Sequence, residues 1–193
     1  MKKILCFGDS NTFGFIPGSG ARYDANSRWT GVLATLAKGK FEIIEAGCNN
    51  RTCFSDNPEG EIFTGYKILP SLLSADLDCV VLALGINDLQ FFFNPTLEEV
   101  QKGMENLIDI ARKGAPKAKI LVVAPSKILP ELLSGYFVCQ FDEVSIEKSS
   151  HIAEIYAKSA RDKGCDFIDL EAVAKPSSKD GLHYDKNGHH KVA

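Results

Sequence analysis

Apolar positions follow two alternating rhythms along the chain. Short apolar runs rich in Ile, Val, Leu and Phe occur at residues 3–7, 41–45, 79–84, 119–124 and 166–169. Runs of that length that are apolar on both faces suit strands of a parallel sheet covered by helices on each side. The segments between them carry helical spacing. The clearest starts at Thr96, with Glu99 three residues later as in a capping box. Leu97, Val100, Met104, Leu107, Ile108 and Ala111 then recur on one face until Gly114 and Pro116 stop the pattern. A second pattern covers about residues 144–163, with Ile152, Ile155, Tyr156 and Ala160 on one face and Gly164 as C-cap. Shorter helices are predicted near 28–38 and 66–74, the first opened by Arg28 and Trp29 with Ser27 before them as a cap.

No internal repeat, low-complexity tract or linker interrupts this alternation. Five strands with interleaved helices predict a single α/β domain over residues 1–193, a three-layer α/β/α sandwich with a five-stranded parallel sheet of flavodoxin-like type. In such sheets a site forms beyond the carboxyl ends of the strands.

Composition narrows the partners. The chain holds 22 Lys and Arg against 25 Asp and Glu, a net charge of -3, which argues against nucleic acid. A 45% hydrophobic content with so small a charge excludes disorder. No apolar run reaches the roughly 18 residues of a membrane span. Met1, Lys2 and Lys3 precede an apolar stretch that ends at Gly8, too short for a secretory signal, so a cytoplasmic location is expected. Cys6, Cys48, Cys53, Cys79, Cys139 and Cys165 are scattered without C-x-x-C or metal-ligand spacing and read as reduced thiols. His151 reads as a surface or packing residue. His189 and His190 are adjacent on a helix and point apart, with no carboxylate at ligand spacing; neither a metal nor another cofactor is expected.

Candidate chemistry sits at the predicted strand ends. The first strand runs into Gly8-Asp9-Ser10-Asn11-Thr12, the third into Gly85-Ile86-Asn87-Asp88, and the last is followed by Asp180-Gly181-Leu182-His183. A serine hydroxyl becomes a nucleophile only when a base takes its proton, and a histidine base needs a carboxylate to hold its tautomer. Ser10, His183 and Asp180 supply these parts. The Ser10 main-chain N–H and the Asn87 carboxamide meet at a possible oxyanion hole if the first and third strands are neighbours. Asp9 and Asp88 read as loop-holding acceptors. A non-catalytic phosphate-binding module of the same fold is the rival, but neither G-x-G-x-x-G nor G-x-x-x-x-G-K-[ST] is present, and no G-x-S-x-G elbow occurs.

In the order Gly8-Asp9-Ser10, Gly47-Cys48-Asn49-Asn50-Arg51-Thr52, Gly85-Ile86-Asn87-Asp88 and Asp180-Gly181-Leu182-His183, the chain resembles the SGNH, or GDSL, hydrolase superfamily. Residues 3–10, 28–34 and 41–45 are most similar to its bacterial arylesterase/acyltransferase subgroup. The resemblance implies Ser10 as nucleophile, His183 as base, Asp180 as the orienting carboxylate, and Ser10, Asn50 and Asn87 as the oxyanion hole. Asn50 stands where the family commonly has glycine; a main-chain donor survives the change, and Asn tolerates positive φ better than most residues. The family's final helix usually runs further past the histidine than this chain allows, with room for barely one turn after Asp185, so a truncated C-terminus is expected. The resemblance also implies a small ester as partner, short acyl groups, and a homo-oligomer. Carbohydrate O-acetylesterase and lysophospholipase or thioesterase activity are the alternatives within the fold. Phe91, Phe92 and Phe93 either wall the acyl pocket or meet a second subunit, with Phe91 and Phe92 as candidate substrate contacts. The apolar excursion at residues 125–141 is long enough to be functional, and the resemblance implies that it shapes the substrate channel and contributes to subunit contacts.

Overall fold

The computed structural model describes all 193 residues, Met1–Ala193. Its strands are β1 (Lys2–Gly8), β2 (Phe41–Gly47), β3 (Cys79–Ala83), β4 (Lys119–Ala124) and β5 (Asp166–Asp169). They pair in parallel in the order β2-β1-β3-β4-β5, as the sequence predicts. The chain therefore winds outward in opposite directions from β1 and β3, and the crevice between their carboxyl ends is where ligands bind in such sheets.

Strand residues divide with period two between the faces. Leu5, Phe7, Val80, Leu82, Ile120 and Val122 point to one face, where α3 (Gly65–Leu72), α4 (Leu97–Gly114) and α6 (Ile152–Asp162) cover them. Cys6, Val81 and Val123 point to the other, packed with Trp29 of α2 (Trp29–Leu36), Tyr184 and Val192 of α7 (Lys186–Val192). The first face holds 26 buried residues and the second 7, so most of the apolar driving force lies on the side of α4. On the second face an apolar cavity of about 420 Å³ remains between α2, α7 and the sheet, lined by Trp29, Leu33, Val81, Val123 and Ile168; neither Ser10 nor His183 borders it.

The helix at Thr96 matches its expected bounds, with the Thr96 and Glu99 capping box formed in both directions. Three local expectations are corrected. Residues 144–163 form two helices, α5 (Glu143–Ser149) and α6. The Ser149 and Ser150 hydroxyls donate to the carbonyls of Ile146 and Glu147, both at 2.6 Å, and the N–H groups of Ser150 and His151 bond three residues back. Consecutive serines thus tighten the chain out of the α-helix. At α2 the cap residue is Arg28, without a side-chain cap bond, rather than Ser27. The final helix α7 makes two turns, started by Asp185, whose Oδ1 accepts the Gly188 N–H at 2.8 Å.

The excursion at residues 125–141 folds into two short 3-10 turns, Pro130–Ser134 and Tyr136–Cys139, that lean on the His183 loop. Leu129 donates its N–H to the Gly181 carbonyl at 2.8 Å. Gly181 has φ +70°, and a side chain there would strike the Leu132 N–H and the Leu129 carbonyl. Only glycine permits that approach.

Candidate active site

β1 ends at Gly8, where a Cβ would collide with the Thr12 hydroxyl and the Ala83 carbonyl. The turn then starts the short helix α1 (Ser10–Phe13), with Asp9 Oδ1 accepting the Asn11 N–H at 3.0 Å. Ser10 is the first residue of that helix, at the carboxyl end of a central strand.

The loop after β5 brings Asp180 and His183 to it. Asp180 Oδ1 accepts the N–H groups of Leu182 and His183, each at 3.0 Å, and its Oδ2 lies 2.9 Å from His183 Nδ1. His183 Nε2 lies 2.9 Å from Ser10 Oγ. A carboxylate only accepts, so Nδ1 carries the ring proton and Nε2 is free to accept the Ser10 hydroxyl. All three side chains are buried. Burial opposes charge on Asp180, but the His183 hydrogen bond and charge, with the two N–H groups, hold its carboxyl below the usual range.

Two residues to which sequence reasoning gave no role complete this arrangement. Asn11 grips the main chain on both sides of His183: its Nδ2 donates to the Leu182 carbonyl at 3.3 Å, and its Oδ1 accepts the Tyr184 N–H at 3.1 Å. Phe15 stacks on the imidazole with centroids 4.1 Å apart, and Phe137 from the excursion packs on it at 5.2 Å. A second carboxamide beside Ser10 was a signal for Asn11; nothing local marked Phe15.

The donors gather on the other side of Ser10. Asn87 lies in the 3-10 turn that follows β3, Asn87–Leu89, and its Nδ2 donates to the Arg51 carbonyl at 3.0 Å. Asn50 adopts φ +57°, the left-handed region its glycine-like position demands, and its carbonyl accepts from Asn57 Nδ2 at 2.8 Å. The main-chain N–H groups of Ser10 and Asn50 have no hydrogen-bond partner within the chain. The Arg51 guanidinium donates to the carbonyls of Gly8, Ala46 and Ile62, fastening this loop to the ends of β1 and β2. Asp88 accepts the N–H groups of Cys53, Phe54 and Ser55 at 2.6, 3.0 and 2.8 Å, the loop-holding role expected of it. Burial pushes Asp9 up to about 7 and raises Asp88 as well.

Other candidates stand apart. Phe91 and Phe92 are 44% and 52% exposed and pack on one another, and Phe92 packs on Phe93; Phe15 and Phe137 are the aromatics against His183. His151 lies on the surface, 2.9 Å from Glu147. His189 is buried beneath α2, while His190 is exposed and 3.0 Å from the Asn26 carbonyl.

A hydroxyl with an oriented base, unpaired N–H donors beside it and a crevice at the switch point of a parallel sheet are the parts of acyl transfer. Fold and site together define a carboxylic ester hydrolase. Residues 6–191 match the model of the GDSL-like lipase/acylhydrolase family. Among solved structures, an aryl esterase of M. smegmatis is 32% identical, with TM-score 0.91 over 100% of this chain and 94% of that one. A carbohydrate acetylesterase from Sinorhizobium meliloti is 30% identical, with TM-score 0.92 over 100% and 94%. A putative arylesterase from Agrobacterium tumefaciens is 32% identical, with TM-score 0.87 over 100% and 94%. No curated protein matches the chain. The chain belongs to the GDSL-like lipase/acylhydrolase family, within the SGNH hydrolase superfamily.

Proposed function

We propose that the protein is a serine esterase that removes short acyl groups from small esters through an acyl-enzyme on Ser10. The observation that carries the reading is the unbroken relay from Ser10 Oγ to His183 Nε2 and from His183 Nδ1 to Asp180 Oδ2, 2.9 Å at each link. Ser10 Oγ attacks the ester carbonyl while Nε2 takes its proton. The tetrahedral oxyanion meets the Ser10 and Asn50 N–H groups and the Asn87 carboxamide. His183 then hands the proton to the departing alcohol. Water, or a second alcohol in acyl transfer, enters by the reverse sequence in a ping-pong cycle.

Short acyl groups suit a site where Phe15 and Phe137 close on the base. Carbohydrate O-acetyl esters form a second reading, supported by the 30% identical acetylesterase, and differ only in the alcohol. No helix is long and apolar enough to cross a membrane.

Turnover of p-nitrophenyl acetate with organophosphonate labelling tests the reading. The adduct should map to Ser10 by mass spectrometry, and Ser10→Ala should lose both label and turnover. A folded Ser10→Ala that still turns over would overturn the assignment. An acetylated sugar preferred over the aryl ester in kcat/KM would select the second reading.

A further inference from the structure

We propose that Gln90 is the positioning residue of the oxyanion hole, the clamp that turns Asn87 and Asn50 so that their N–H groups face the reacting carbonyl. The inference rests on the esterase reading above and assigns the part of its site that the triad leaves unexplained.

Asn87 opens the 3-10 turn Asn87–Leu89, and Gln90 caps it. Side chains three apart on a 3-10 turn eclipse, so Gln90 is brought over Asn87 by the local winding alone. Gln90 is fully buried. Its Nε2 lies 2.8 Å from Asn50 Oδ1 and 3.3 Å from Asn87 Oδ1, one amide hydrogen for each. The direction of this chain of bonds is set by chemistry. The Arg51 carbonyl can only accept, so the Asn87 group facing it at 3.0 Å is the amide nitrogen. Asn87 Oδ1 then faces Gln90, which must answer with its own donors.

Gln90 Oε1, by contrast, is buried without a hydrogen-bond partner. An unpaired buried acceptor is costly, and a residue kept only for packing would not carry one. The side chain is used for its donors. Without them the Asn87 carboxamide keeps only its bond to the Arg51 carbonyl and loses the second point that fixes its plane, and Asn50 loses one of the two ties that hold its left-handed backbone; the other is its carbonyl bond from Asn57. The damage falls on the transition state more than on substrate binding, which separates this role from a structural one.

The experiment compares Gln90→Met in the wild-type and Asn87→Ala backgrounds, with p-nitrophenyl acetate as substrate and thermal unfolding as the check on folding. Met keeps the volume and removes both the donors and the unpaired acceptor. In wild type, kcat should fall at least about tenfold with KM held within about twofold. In the Asn87→Ala background the same change should cost no more than about threefold, because the group it steers is gone. Gln90→Lys, which has donors and no acceptor, should recover most of the kcat that Met loses. Equal losses in the two backgrounds, a loss confined to KM, or a Lys variant as impaired as Met would overturn the proposal. Should Gln90→Met fail to fold, the Lys variant decides alone: a folded protein as slow as Asn87→Ala overturns it. Ser10→Ala in the same assay separates the two inferences. Loss of turnover there alongside Gln90 variants as fast as wild type leaves the esterase reading standing and removes the clamp; retained turnover removes both.

Discussion

A histidine can serve Ser10 in one tautomer only, and Asp180 selects it. Asn at position 180 would keep an oxygen for the Leu182 and His183 N–H groups, which Oδ1 now accepts, but would present an amide to His183 Nδ1. The ring proton would then move to Nε2, the atom that must accept from Ser10. Asp180→Asn is therefore expected to unfold near the wild-type temperature yet lose about three orders of magnitude or more in kcat. A loss under tenfold would show that something other than Asp180 orients the imidazole. The hole makes a parallel prediction. Asn87 donates through its side chain, so Asn87→Ala should lower kcat about a hundredfold. Asn50 offers its main chain, so Asn50→Gly should cost only several-fold at saturating substrate, and equal large losses would mean that its side chain does the donating. Ser10 and Asn87 were legible because each sits in a short motif at a strand end, and Asp180 and His183 because their short motif follows the last strand. Asn11 and Phe15 were not, because their partners Leu182, His183 and Tyr184 lie some 170 positions away in the chain. Phe91 and Phe92 were legible only as a pair of alternatives, pocket wall or subunit contact, and their exposure of 44% and 52% after the turn at Asn87–Leu89 leaves them accessible for either role.

At the scale of elements, sequence periodicity served best where a helix carries its own stop and start signals, as α4 does between Thr96 and Gly114. It failed where hydroxyls of Ser149 and Ser150 competed for helix carbonyls, and where a cap comes from another element. The second case has a consequence for stability. Helix α2 has no side-chain cap on its own chain segment; the Trp29 N–H instead reaches the buried His189 Nδ1 of α7 at 3.4 Å. That nitrogen can accept only in the neutral ring. Burial, with His183 nearby, depresses His189 to about 4 from its ordinary 6.5. Below pH 6.5 the unfolded chain takes a proton that the folded one refuses until about pH 4, so stability falls across that window. The loss amounts to roughly 3 kcal/mol at full extent. Asp9, pushed up to about 7 by burial, acts with the opposite sign, since the folded state takes its proton first as pH falls. The two are separated by difference: in urea unfolding, wild type should lose roughly 2–3 kcal/mol more than His189→Gln between pH 7 and pH 4.5. Identical pH dependence in the two proteins would mean that His189 takes up its proton as readily in the fold as in the unfolded chain.

For the whole molecule, the strand order was readable because buried runs and helices alternate without interruption, and that order alone brings Ser10 beside Asn87. What the pattern could not show is which apolar side chains remain on the surface once the layers close. Phe91, Phe92, Tyr136, Val138 and Val144 stay 44%, 52%, 81%, 49% and 49% exposed. The Phe91 N–H bonds to the Gln140 carbonyl at 2.9 Å, which ties the loop after Asn87–Leu89 to the segment between the 3-10 turn Tyr136–Cys139 and the start of α5. Single exposed apolar residues are ordinary on a protein surface, whereas a contiguous group marks a contact. This group adjoins Phe137, which packs on His183, and Tyr136 touches Phe137 with ring centroids 5.5 Å apart. A second copy of the chain seated there would cover the patch and narrow the approach to the site in one step. Light scattering at micromolar concentration should then give a mass well above 21.1 kDa. The double variant Phe92→Lys, Tyr136→Lys should dissociate to a folded monomer. Opening the approach should also change kcat/KM for bulky esters by a larger factor than for p-nitrophenyl acetate, whose acetyl group needs little room. A wild-type protein that stays monomeric would free these side chains from any interface, and the substrate dependence of the double variant would then report on their contact with ester groups alone.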